Sequence, residues 1–396
     1  MNLRQLLPAI LLLGACKQDL TVPGSCPELC PAGQPEIREF LLSADMDGDS
    51  TYTGYAGWGQ VAALLAATGL PVGEARAWYR FDSRPDSILV LDSLRAYTVD
   101  SVVVTMSIVA RDSTRGGLVL ELYRLPIALD TLDGFSAVDG EMTEASFLDS
   151  LAVADSVKRG AVNFVLTGDA LDRLVIAPED SGQLQFGVTV REPDATGIRL
   201  GSIAGATPAA SMVTYVHADV ADTAAQAQII SSATAANGYV IDRDHTLDPT
   251  LLYVGGLPAS RSILRFTLPA EVLDSANLLR ATLELTPDTP LHGAPNDPTG
   301  LEVRGVAYDI GAKSTPAFLL RSVKELEDGS SDVVSIDVGA IVNAWTGPNP
   351  LARSFYLSLT PEGGSFFHPS FRSTRSTSGA PQLRVTYLVP PAVERP

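Results

Sequence analysis

Short β-type runs cut by turn residues constrain this chain more than any other feature. In its second half they occupy residues 251–254, 262–268, 278–285, 301–310, 333–337, 354–359, 371–375 and 382–388. Each has roughly the length of an ordinary strand and is bounded by Asp, Gly, Pro or Ser. Side chains alternate between the two faces of a strand, so such runs bury their apolar faces by stacking sheet on sheet. No segment carries the spacing of a long amphipathic helix. The best helical stretch is short, residues 338–345, where Val338, Ile341, Val342 and Trp345 fall on one face. The chain is therefore expected to be all-β, with two tandem antiparallel, jelly-roll-like β-sandwiches and that helix plugging one open end.

The expectation of two sandwiches rests on an internal repeat. The first half carries runs at 102–110, 118–125, 162–166, 184–190, 198–203 and 212–216. Arg80-Phe81 and Asp100-Ser101 in the first half match Arg265-Phe266 and Asp274-Ser275 in the second, 185 and 174 residues later. Pro208 and Tyr215 match Pro381 and Tyr387, 173 and 172 residues later. Two diverged copies of one fold are read here, at 37–217 and 218–390, followed by a tail at 391–396.

Charge excludes one class of partner. The 396 residues carry 28 Lys and Arg against 46 Asp and Glu, a net charge of −18. With no basic run to set against that field, nucleic acid is excluded as an expected partner.

The N-terminus suggests where the protein resides. Arg4 precedes an apolar core from Leu6 to Leu13, and Leu13-Gly14-Ala15-Cys16 follows. That core is far short of the roughly 20 residues a membrane-spanning helix needs, but it suits a secretory signal. The four residues resemble the lipobox of bacterial lipoproteins. The resemblance implies removal of residues 1–15, acylation of Cys16 and a lasting membrane anchor. Lys17, not being an aspartate, implies outer-membrane delivery in the Gram-negative sorting pattern. Residues 16–36 hold scattered Pro and Gly and read as a flexible tether. Within it, Cys26 and Cys30 form either a small disulfide loop in an oxidising compartment or a free thiol pair. Pro31 stands where haem attachment would need a histidine, and two thiols are too few for a zinc site.

A second resemblance lies in the C-terminal half. Its residues are Val254-Gly255-Gly256, the run Arg261-Ser262-Ile263-Leu264-Arg265-Phe266, and Ile336-Asp337-Val338 with Val342 and Trp345. Ser373 and the closing Ala380-Pro381-Gln382-Leu383-Arg384-Val385-Thr386-Tyr387 complete the set. Together they resemble the DNRLRE domain family, extracellular β-sandwiches related to carbohydrate-binding modules. The resemblance implies a sandwich fold and a polysaccharide as possible ligand.

Chemistry-bearing motifs are sparse. The chain has no Gly-x-Ser-x-Gly elbow, no phosphate-binding loop and no His-Glu-x-x-His. His217, His245, His292 and His368 stand singly in polar surroundings. Asp45, Asp47 and Asp49 alternate around Gly48 and either wrap a structural calcium ion or form a solvated acidic turn. Two aromatic clusters, Tyr52, Tyr55 and Trp58, and Phe366, Phe367 and Phe371, either stack on a ligand or fold inward. The leading expectation is a lipid-anchored, non-catalytic binding or adhesion module of the bacterial envelope. A structural component of an envelope protein assembly is the alternative, and a lipid-anchored hydrolase comes third.

Overall fold

The computed structural model describes residues 36–389, apart from 56–60, 113, 130–132, 177, 192–193, 221–223, 243–246, 257–258, 276, 295–297 and 348. Cys16, Cys26, Cys30, the signal and the tether, Trp58, His245 and the tail lie outside the described residues. The rest is all-β and antiparallel, with a few short helices.

Two β-sandwiches with the same strand order account for the repeat. In the second, one sheet runs Glu36–Ser43, Gln382–Val389, Asn277–Leu285, Val334–Asp337. The facing sheet runs Thr315–Glu325, Gly300–Tyr308, Ala352–Thr360, Ala259–Arg265, Ser50–Tyr55. In the first, Gln226–Ile241, Ser211–Ala218, Thr98–Arg111, Gly160–Leu166 follow the same path as the former sheet. The path Phe147–Ala152, Val119–Leu125, Leu184–Arg191, Ala75–Phe81, and then Gln226–Ile241 again, follows the latter. Two further strands, Leu64–Thr68 and Thr196–Leu200, join the edges of the first sandwich and close it around its core.

The division expected at 217/218 is corrected by one finding: the opening strands are exchanged. Glu36–Ser43 and Ser50–Tyr55 precede the first copy in sequence but complete the two sheets of the second. Gln226–Ile241 precedes the second copy but serves both sheets of the first. Its residues 226–233 pair with Ser211–Ala218, and a bulge after Thr234 turns 236–241 onto Ala75–Phe81. The cause is proximity along the chain. Only a short connection separates Ser211–Ala218 from Gln226–Ile241, so hairpin closure costs little entropy. Once that hairpin forms, the second copy takes its missing strands from residues 36–55.

Each sandwich has its own core. Leu64, Val104, Phe186, Leu200 and Met212 are among the buried residues of the first. The second packs Leu264, Leu283, Val303, Leu357 and Leu383 around Trp345 and Phe355, whose rings lie 4.7 Å apart. Trp345 ends the helix Gly339–Trp345, which buries Ile341, Val342 and Trp345 on the face read from their spacing. The exchanged strand is tied into this core by Phe40, whose ring stacks on Tyr387 at 5.4 Å.

Candidate functional site

Alternation along the strands of the five-stranded sheet decides which side chains face away from the second core. Leu264, Phe355, Leu357, Leu301 and Val303 point inward. Their neighbours Arg261, Tyr356, Ser358, Glu302 and Arg304 therefore share the outer face. Register brings them side by side: Ile263 lies opposite Tyr356, Tyr356 opposite Arg304, and Arg304 opposite Arg321. Arg261 lies opposite Tyr52 on the exchanged strand Ser50–Tyr55. Of these, Arg261, Glu302, Arg304, Tyr356 and Ser358, with Glu362, line a groove of about 250 Å3.

Charges in the groove are paired in fixed planes. Arg261 donates from Nε and Nη2 to the two oxygens of Glu362, both at 2.6 Å. Its guanidinium lies 4.0 Å from the Tyr55 ring centroid and 5.4 Å from that of Tyr356. Burial opposes the charge on Arg261, but the bond and charge of Glu362, with the nearby Tyr356 and Tyr55, together outweigh it and hold the pKa above its ordinary value. Burial pushes the Tyr356 hydroxyl up to about 12 and raises that of Tyr55. Glu302 accepts two bonds from Arg304, at 2.8 and 3.0 Å, and a third from Arg321 at 3.3 Å. Forked, charge-assisted donors of this kind fix both position and direction. Both groove carboxylates are held in guanidinium forks, Glu362 by Arg261 and Glu302 by Arg304 and Arg321. The face thus combines fixed charged pairs with two aromatic rings.

Of the sequence-predicted aromatics, Tyr52 and Tyr55 belong to this face, and the Tyr55 hydroxyl donates to the carbonyl of Ala312. Phe366 and Phe367 do not form a stacking platform. Each is only 1% exposed, and Phe371 is fully buried, so the ligand-binding expectation for Phe366 and Phe367 is corrected. They close the joint between the sandwiches instead. His292 and His368 line a separate cleft of about 370 Å3 between the two bodies, with Asp242. His217 pairs with Asp100 at 2.6 Å elsewhere.

The calcium reading of the acidic run is corrected. Asp45, Asp47 and Asp49 do not converge, and no group of three metal-ligating side chains occurs among the described residues. Asp49 is buried, accepting from Thr374 N at 2.6 Å and Thr374 Oγ1 at 2.9 Å, with Arg375 Nη1 at 2.9 Å. Asp45 accepts from Thr267 N and Oγ1 at 2.9 and 3.2 Å. Asp47 is exposed, with a left-handed backbone at φ 56°. Protein donors thus hold the two inner carboxylates where calcium was expected. Millimolar calcium should therefore leave the melting temperature as it is in chelator. A calcium-specific rise lost in Asp47→Asn would overturn that account.

Sequence reasoning missed Arg261, Glu302, Arg304 and Glu362, because only register aligns residues so far apart in the chain. The alternation of 261–266 was the one signal that marked Arg261 as facing away from Leu264. No family model, no curated protein and no solved structure matches this chain.

Proposed function

We propose that the protein is a non-catalytic binding module of the bacterial envelope, anchored through an acylated Cys16, and that the outer face of its five-stranded sheet binds polysaccharide. The observation that carries the reading is the groove itself. Tyr356 in the groove, with Tyr55 packed against Arg261 beside it, supplies apolar ring surface, while Arg304, Ser358 and the oxygens of Glu302 and Glu362 supply directed donors and acceptors. Sugars need both, because a pyranose ring presents C–H patches and a rim of hydroxyls. The tether expected at 16–36 would let a face on the exchanged-strand side reach polymer above a membrane.

Retention on a glycan array tests this. The soluble chain should bind one or a few polysaccharides, with Arg304→Ala weakening retention roughly tenfold, the usual worth of one charge-assisted contact. Its melting temperature should stay within a few degrees of the parent. Absence of retention on any polysaccharide, or retention indifferent to both Arg304→Ala and Tyr55→Ala, would overturn the reading.

A further inference from the structure

The groove on the second sandwich ends where a loop to the first begins. Glu362 stands two residues after the strand Ala352–Thr360 and turns both carboxylate oxygens to Arg261, at 2.6 Å each. The residues that follow it are gripped by the other body. Gly363 has a left-handed backbone, φ 67°, which lets the chain turn away from the groove at no steric cost. Its carbonyl accepts from the hydroxyl of Tyr239, a buried residue of the first core, at 2.7 Å. Gly364 backs onto the first sandwich so closely that a Cβ there would lie 2.9 Å from the Ala63 nitrogen. Phe366 then enters the first core. Glu362 is therefore one residue away from a chain segment that the first sandwich fixes.

Arg261 takes its orientation from that carboxylate. The Tyr55 and Tyr356 rings lie 4.0 and 5.4 Å from its guanidinium. Rings attract a cation to their faces but do not select its rotation in the plane. The fork does, because Nε and Nη2 donate together to two oxygens of one group. A glutamate on a loose loop would give up backbone and side-chain freedom to hold such a fork, whereas one on a fixed backbone gives up little. Among the described residues that line the groove, all belong to the second sandwich. The first reaches it through this loop.

We propose that the first sandwich is the positioning body for the groove: Tyr239 and the seat of Phe366 fix residues 363–366, these fix Glu362, and Glu362 fixes Arg261. The inference rests on the reading of the groove as a binding site and names what sets that site. It gives the first copy of the repeat a task other than presenting a second binding face. Groups already held in place bind more tightly than groups that must be ordered by the ligand. Tyr239 acts here without touching a ligand.

Tyr239→Phe tests this in the unacylated chain from Lys17 to Pro396, since it deletes the hydroxyl that holds Gly363 and keeps the ring. One readout is the Nε–H resonance of Arg261 in a nitrogen–proton correlation spectrum, assigned by its loss in Arg261→Lys. It should shift toward its position in Glu362→Gln, where the charged fork is cut directly, and its proton should exchange with water faster. The other readout is retention on the polysaccharide that binds best, which should weaken at least about fivefold, the lower end of ordinary coupling between separate sites. Leu120→Ala, on the strand Val119–Leu125 of the first core, is the control. It should lower the melting temperature more than Tyr239→Phe and leave both readouts where they are. An Arg261 resonance that Tyr239→Phe does not move, or that Leu120→Ala moves equally, overturns the proposal whatever the array shows. So does a moved resonance with retention unchanged. A moved resonance in a chain that no polysaccharide retains upholds the positioning and overturns the sugar reading alone.

Discussion

A chain that begins at Val61 should keep a folded first sandwich and lose the second. The first retains every strand of its sheets, Gln226–Ile241 included. The second loses Glu36–Ser43 from one sheet and Ser50–Tyr55 from the other, exposing the sides of Gln382–Val389 and Ala259–Arg265. Phe40, Leu42 and Ala44 leave its core. Phe40 and Leu42 are half-buried, so each contributes no more than about 1.5–3 kcal/mol, still a sizeable part of the roughly 5–15 kcal/mol that stabilises a whole domain. Polar ties go as well. Arg375 loses Asp49, Thr267 loses Asp45, and the Thr51–Ser262 hydroxyl contact at 2.9 Å disappears. Tryptophan fluorescence separates the two bodies, since Trp78 reports on the first and Trp345 on the second. The expected result is a solvent-exposed Trp345, a transition from the first sandwich that is retained but lowered because Phe366 leaves its core, and recovery when a peptide of residues 36–55 is added. A buried Trp345 with a parent-like melt would mean that the exchanged strands are dispensable.

The exchange also shows what was legible in the sequence and what was not. Alternation and turn residues located most of the strands of the second copy. The spacing of Ile341, Val342 and Trp345 placed a helix on the core, and landmark offsets of 172–185 residues exposed the repeat. All of these are local or additive signals. The partner of residues 36–55 is not local: Phe40 meets Val385, and Asp49 meets Thr374 and Arg375. Side-chain period gives a strand its two faces but says nothing of which edge it will pair with. The same limit governed the sites. Alternating aspartates read as a cation loop or as a turn, and only Thr267, Thr374 and Arg375, distant in the chain, show what holds them. Aromatic residues near glycines read as platform or as seal, and the two clusters fall in different places. Tyr52 and Tyr55 sit half-buried on the outer face of a sheet, Tyr55 under the Arg261 guanidinium, whereas Phe366 and Phe367 sit where two cores meet.

Replacing Phe366 should separate the two sandwiches thermally. The loop that carries it lies between Ala352–Thr360 and Ser370–Arg372 of the second sandwich, yet Phe366 packs in the core of the first. Its neighbour Phe367 packs in the core of the second, so consecutive side chains staple one body to the other. The fit is close on both sides. A Cβ on Gly197 would lie 2.8 Å from the Phe366 ring, and one on Gly364 would lie 2.9 Å from the backbone nitrogen of Ala63. The buried Tyr239, on the exchanged strand of the first sandwich, donates to the carbonyl of Gly363 at 2.7 Å. Thr299 and Ser365 hold the loop from the other side, with their hydroxyls 2.6 Å apart. Because both cores depend on this loop, the parent should melt in one calorimetric transition. Phe366→Ala empties a large aromatic site, at a cost of about 3–5 kcal/mol. For a body of this size, that is a fall on the order of 10 °C. The loss falls on the first sandwich alone, so the single transition should divide, with Trp345 reporting the later step. Phe367→Ala should reverse the order, because it empties the second core instead. If both variants melt in a single step lowered equally, the two bodies form one cooperative unit held by more than this loop, and the staple is not what couples them.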